Sequence, residues 1–492
     1  MERVIMLLAA LLMALPLTAV EPDKGLIIVT TDYIKNGSAV LGDLVAEKEK
    51  RGFTVRVVTE SDYGGAGEKG AIRAAKIRDW LAANRAGYGF VLLIGDPSPK
   101  LGDVPMVLGQ PQGEGVSDPC GDTGYSCVKI PTDLYYGDLS GSWDLNEDGI
   151  LAQLPVDMGE GGIDFGSELA VGRIPVYFGD LEELDELLTH IVGYMQMAEK
   201  ATAYRKKMLF PLSFVWFDGY KVFHTNHENK ETSETAEWFI HNILPSHSGV
   251  TYTRLYEAEG HYPTQFDYEI PLTQENLIGE WKKGYGMVLW GGHGMPTSVV
   301  RTVWTEDVNG NELGENDEVE SPLLIGSNDG KEIASGQPSF IVAISCLVGF
   351  VSEPGSITHR FMVDGAAVGV ISSSSVTDPS AMKWLELDAP LNTTTLGEDN
   401  TAVLFFDRLI GGGYAGRVFA DIRDELGDET VFRVIDHKLM LNYFGDPSLT
   451  LYDHAVAAET PDTDDTVDDS PASDDTAPAD DTSGGCGLVR LW

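Results

Sequence analysis

Short apolar runs, each followed by a charged stretch of helical period, constrain this chain more than any other feature. Leu26 to Thr31, Phe53 to Val58 and Phe90 to Asp96 read as strands. Leu44 to Arg51, ended by Gly52, and Ala71 to Ala86 read as the helices between them. A strand that is apolar at nearly every position has both faces buried. Helices packed on both faces of a parallel sheet meet that need. Right-handed crossovers then follow. Leu181 to Glu199 is a long amphipathic helix that bridges to a second series. That series starts at Lys207 to Phe214 and runs through Val250 to Tyr256, two further apolar strands and Ala366 to Ile371. Helical patterns at 398–410 and 416–443 close it, with Leu449 to Tyr452 as the last strand.

A chain of 492 residues exceeds one ordinary core, so two units are expected. The expected fold class is α/β: two adjacent subdomains, each a mostly parallel sheet flanked by helices. The expected divisions are a signal peptide over 1–19, an N-terminal subdomain over 20–205, a catalytic subdomain over 206–453 and a disordered acidic tail over 454–492. Arg3 followed by the apolar run Val4 to Leu17 has the form of a secretory leader and is short for a spanning helix. The tail is rich in Asp, Pro, Ser, Thr and Ala and offers almost nothing to bury. Its end, Gly484-Gly485-Cys486, looks like the start of a bacterial sorting signal, which suggests attachment at a cell surface.

Acidic residues number 77 against 34 basic, for a formal charge of −43. Such a chain repels phosphate backbones, which argues against a nucleic-acid partner, and it attracts cations.

Two of the apolar strands end in reactive side chains. One is Val288-Leu289-Trp290-Gly291-Gly292-His293-Gly294, the other Phe340-Ile341-Val342-Ala343-Ile344-Ser345-Cys346. Ligands of open α/β sheets bind beyond the carboxyl ends of strands. A thiol and an imidazole delivered there form a nucleophile and its base.

With these two elements the chain resembles the gingipain-type cysteine peptidases of clan CD, which have a caspase-like fold. Further blocks carry the likeness: Leu92-Leu93-Ile94-Gly95-Asp96, Thr132 to Asp138, Ala170 to Pro175 and Tyr443-Phe444-Gly445-Asp446-Pro447. The resemblance spans about 26 to 452. It implies that Cys346 attacks the scissile carbonyl, that His293 acts as base and acid, and that the backbone N–H groups of Gly294 and Cys346 form the oxyanion hole. Substrates would be proteins or peptides. The chain departs from gingipains in showing neither a long propeptide before the first strand nor an immunoglobulin-like domain after the last.

A second constellation is Asp144-Leu145-Asn146-Glu147-Asp148-Gly149-Ile150. Oxygen donors at alternating positions, followed by Gly, suit calcium, with Asp144, Asn146, Asp148 and the Ile150 carbonyl as ligands. Pro155 stands at the twelfth position, so a full EF-hand is excluded. Asp157 or Glu160 remains as a closing ligand. In an oxidising compartment, Cys120 and Cys127 would close a small disulfide ring.

Three other signals carry less. Gly411 to Gly416 follows a helix rather than a strand, so it reads as a loop. His224 and His227 have no partner at metal-ligand spacing. Ser372 to Ser375 lacks a nucleophile elbow. The leading expectation is a secreted cysteine endopeptidase. Its rivals are a non-catalytic calcium-binding surface module of the same fold and a transpeptidase using the same dyad.

Overall fold

A computed structural model describes residues 24–113, 118, 126, 128–220, 229–377, 390–391, 397–425 and 432–455. The two strand series lie side by side in one eleven-stranded sheet. From one edge its order is Ile270–Pro271, Thr251–Tyr256, Lys207–Leu212, Met287–Gly291, Ser339–Ile344, Ala367–Ser373, Leu441–Gly445, Ala170–Pro175, Phe90–Gly95, Gly25–Val29 and Thr54–Val58. The pairings within each series are parallel, as the apolar runs predict. The central strands are buried along their whole length.

The join between the series is Leu441–Gly445. It runs antiparallel to Ala367–Ser373 and is bridged at Phe444 to Arg173. This differs from the sequence expectation of helix up to 443 and a last strand at Leu449–Tyr452. The observed elements are helices Ala415–Glu425 and Phe432–Met440, then the strand. Leu449 and Leu451 are fully buried, but neither lies in a strand. Burial, not strand pairing, accounts for their apolar character. Inside the joining strand, Asn442 is satisfied by accepting the Asp133 N–H and donating to the Met440 carbonyl.

Helices cover the sheet. Leu181–Gln196 turns Leu184, Leu187, Leu188, Ile191 and Val192 inward, and Asp180 caps its start by accepting two backbone N–H bonds. Glu398–Ile410 buries almost every residue, including the acidic ones in its first turn. Among the described residues, no helix is long and apolar enough to cross a membrane.

Candidate active site

The strands Met287–Gly291 and Ser339–Ile344 are parallel neighbours. Their register pairs Met287 with Phe340 and Gly291 with Ile344, a constant offset of 53 (340 − 287 and 344 − 291). His293 and Cys346 are separated by the same 53 positions (346 − 293). Each therefore stands two residues beyond the last paired position of its own strand.

Contact continues past the strand ends. The Gly292 N–H donates to the Ile344 carbonyl at 3.2 Å, and the Ser345 hydroxyl donates to the Gly292 carbonyl at 2.9 Å. Gly294 lies so close to the Cys346 backbone that an added Cβ would come within 2.1 Å of the Cys346 carbonyl oxygen. Only glycine fits that approach.

The His293 Nε2 lies 2.7 Å from the Val215 carbonyl oxygen. A carbonyl only accepts, so this contact assigns the proton to Nε2 and leaves Nδ1 as the basic nitrogen. Burial lowers the pKa of the ring, and the Val215 carbonyl acts in the opposite direction. At neutral pH the imidazole is a neutral base. Val215 sits in the short strand Phe214–Trp216. Thus a backbone carbonyl, rather than a carboxylate, orients this imidazole.

Among the described residues, Thr377 supplies the hydrogen-bonding contacts of the Cys346 thiol. Its Sγ lies 3.0 Å from the Thr377 Oγ1, accepts the Thr377 N–H at 3.3 Å and lies 3.7 Å from the Thr377 carbonyl oxygen. Burial pushes the thiol up to about 11, the carboxyl of Glu398 adds to that rise, and the Thr377 contacts oppose it. No hydrogen bond joins His293 to Cys346 among the described residues. The resting pair is a neutral thiol beside a neutral base.

Glu398, at the start of helix Glu398–Ile410, acts electrostatically on Cys346, and Asp399 acts on Glu398 in turn. Glu398 and Asp399 are 1% and 0% exposed. Among the described residues, none of their four carboxyl oxygens makes a well-formed hydrogen bond, although the Ser345 N–H eases the charge on Glu398. Burial, then mutual repulsion, raises Glu398 to about 8, and burial raises Asp399 to about 7. Isolated buried acids shifted this far are a mark of functional sites.

The serine run is scaffold. Ser372 pairs with the Thr358 hydroxyl at 3.0 Å, and Ser373 donates to the Ser375 carbonyl at 2.8 Å. Ser374 donates to the Pro131 carbonyl, and Ser375 to the Ser126 carbonyl at 2.9 Å. All four hydroxyls are engaged, and none is placed as a nucleophile.

Farther off, the Asp144 loop folds on its own oxygens. Asp144 accepts the N–H groups of Asp148 and Gly149, Asn146 accepts that of Asp148, and Asp148 accepts that of Ile150. Asp157 is fully buried and closes the loop by accepting the N–H groups of Leu145 and Gln153 at 2.8 and 2.7 Å. Glu160 faces solvent. Trp143, edge-on to Tyr135 and Phe165, anchors the loop to the core. Among the described residues, no three His, Cys, Asp or Glu side chains converge as a metal cluster. Any cation here would draw on amide and backbone oxygens as well.

Sequence reasoning passed over a second loop with this pattern. Asp307, Asn309 and Asn311 accept the corresponding N–H bonds. Glu318 accepts the Val308 N–H, as Asp157 accepts that of Leu145. The alternation of Asp307, Asn309 and Asn311 was the available signal. Val215, Thr377 and Glu398 had none, since each reaches the site only through the fold. Cys120, Cys127, His224, His227, the leader over 1–19 and most of the tail lie outside the described residues.

The model of a family described as peptidase family C25 matches residues 19–452. The chain is similar to the crystal structure of the Arg-specific cysteine proteinase gingipain R, with 15% identity, 87% of this chain and 79% of that chain covered, and a TM-score of 0.56. It is also similar to the complex of the Porphyromonas gingivalis RgpB pro- and mature domains, with 14% identity, coverage of 86% and 79%, and a TM-score of 0.55. At such identity the likeness is one of fold, and that fold is the expected caspase-like one. No curated protein matches the chain.

Proposed function

The chain belongs to peptidase family C25, and from that premise we propose a secreted endopeptidase that hydrolyses proteins and peptides through Cys346 and His293. The observation that carries this reading is the shared offset of 53, which sets thiol and imidazole across from each other on adjacent strand ends. His293 Nδ1 takes the thiol proton, and Sγ bonds to the scissile carbonyl carbon. The negative charge moves to the carbonyl oxygen, which the N–H groups of Gly294 and Cys346 receive. Collapse breaks the C–N bond, and the imidazolium protonates the leaving amine. Water, deprotonated by the same nitrogen, then releases the acyl group and restores the thiol.

Glu398 and Asp399 give this site a preference for a cationic side chain at the cleavage point. Their support is that Glu398 acts on Cys346, that Asp399 acts on Glu398, and that neither buried carboxyl meets a cationic side chain among the described residues. The related gingipain R is described as Arg-specific. Calcium would be held as a structural ion by Asp144, Asn146, Asp148 and the Ile150 carbonyl, with Asp157 closing the set. An all-oxygen donor set suits a hard cation. The leader and the acidic tail support a place outside the cell, with the tail as the segment for surface attachment.

Cleavage-site profiling of the purified chain, beside Cys346→Ala, tests the reading. Hydrolysis after cationic residues, lost in the variant, is the expected result. Full proteolysis by Cys346→Ala would overturn it. Amide products in the presence of an added amine would turn it into transpeptidation.

A further inference from the structure

The sulfur of Cys346 meets a hydroxyl, an amide N–H and a carbonyl, all from Thr377. Thr377 is 5% exposed and far from Cys346 in sequence. The segment before it is fixed on the nucleophile loop itself. The Leu347 N–H donates to the Ser375 carbonyl at 3.0 Å, and the Gly349 N–H to the Ser373 carbonyl at 2.9 Å. The engaged serine hydroxyls hold the same segment from the other side.

The chemistry of those three atoms depends on whether sulfur carries its proton. A neutral thiol has one hydrogen to give, and the Thr377 carbonyl and hydroxyl oxygens can each take it. A thiolate has none to give and needs donors. The Thr377 N–H already points at it, and a hydroxyl turns from acceptor to donor by rotating about one bond. No heavy atom has to move. The imidazole cannot serve in this way at rest, because its Nε2–H is committed to Val215. The titratable group facing the sulfur besides the imidazole is Glu398, which opposes a second negative charge when it is ionised.

We propose that Thr377 is the residue that stabilises the Cys346 thiolate, its hydroxyl and amide N–H receiving the charge that appears when the thiol proton passes to His293. This rests on the peptidase reading of Cys346 and adds to it a residue outside the dyad. Thr377 gains and loses no atom in the reaction. Its hydroxyl hydrogen shifts from lying away from sulfur to lying on it.

The test is the pH dependence of Cys346 alkylation by iodoacetamide in the full chain, followed by mass spectrometry of the Cys346 peptide. Peptidase kinetics are read in parallel. Thr377→Val keeps the shape and removes the hydroxyl. Its alkylation profile should move about one pH unit higher, with kcat about ten-fold lower and KM unchanged, because hydrogen bonds to charged groups carry about that much energy. Thr377→Ser should restore both. A wild-type profile in Thr377→Val would overturn the proposal while leaving the dyad intact, provided Cys346→Ala is inactive. If Val prevents folding, Thr377→Ala against Thr377→Ser gives the same contrast, and equal profiles in those two would also overturn it. Activity retained in Cys346→Ala would instead remove the reading on which the proposal stands.

Discussion

Two regions of the sheet bury charge in opposite ways. Where the joining strand Leu441–Gly445 meets the first series, charges are closed. Arg173, fully buried, makes two hydrogen bonds of 2.6 Å to the Asp133 carboxylate and a third of 2.6 Å to the Val104 carbonyl. Lys48 meets Asp446 at 2.7 Å with both side chains fully buried. Beside Cys346, acidic groups are left open. Glu398 and Asp399 lack well-formed hydrogen bonds among the described residues, and the thiol has only uncharged partners beside it. A buried pair that satisfies itself fixes a scaffold. Buried acids left without a partner and shifted in pKa make a region a candidate functional site.

Crossing one substitution from each region should give opposite results. Cys346→Ala should remove about four orders of magnitude of peptidase activity or more, since a nucleophile has no substitute. Its melting temperature should stay within a few degrees of wild type. Arg173→Met should leave Asp133 buried without its cation and cost about 3–5 kcal/mol of stability by urea denaturation. Its surviving folded fraction should still alkylate Cys346. An inactive but fully stable Arg173→Met would break the contrast.

The open charges also set a pH dependence. Glu398 is raised from 4.5 to about 8 and Asp399 from 3.8 to about 7. The folded state therefore holds these protons more tightly than the unfolded chain. The resulting stability is complete below the ordinary carboxylate range and is lost as pH rises through 7 to 8. Asp138 and Glu257, each raised to about 7, act in the same direction. Glu183, held down to about 2 by His359 and Arg360, acts oppositely, but its contribution is complete by pH of about 5. The melting temperature should fall between about pH 5 and pH 8, and Glu398→Gln should flatten that fall. An equal slope in the variant would mean that the carboxyl finds a partner.

The smallest expected effect belongs to the Asp144 loop. Chelation with EDTA should lower the melting temperature by a few degrees, roughly 1–2 kcal/mol for a single loop ion. Asp157→Asn should abolish the response to added calcium while leaving kcat unchanged. A melting curve indifferent to both chelator and calcium would remove the ion from this loop.

How much could be read in the sequence follows the same divide. The strands were legible because burial on both faces writes an unbroken apolar run, as in Phe90 to Ile94. His293 and Cys346 were legible because each interrupts such a run where it ends. The joining strand Leu441–Gly445 was not, because Leu441-Asn442-Tyr443-Phe444 continues the helical pattern before it. The apolar Leu449 and Leu451 offered a false alternative. Thr377 and Val215 act through an uncharged hydroxyl and backbone groups, which leave no mark in composition. Glu398 looked like an ordinary acidic residue in the first turn of a helix. Its isolation arises only when that turn is buried beside the cysteine.

The common offset of the histidine and cysteine strands has a consequence for variation among related proteins. The sheet ladder spaces both reactive groups, and of the segment from 296 to 338 only the strand Ser298–Val300 pairs with the histidine, Val300 standing opposite His293. That excursion carries the short strands Ser298–Val300, Val303–Trp304, Val319–Glu320 and Leu323–Gly326 and the loop at Asp307. Its outer part, from Val303 to Glu320, can lengthen, shorten or change its surface while Ser298–Val300, held by Leu323–Gly326, keeps the histidine in place. The fold thus separates heritable change in what is recognised from change in what is done to it.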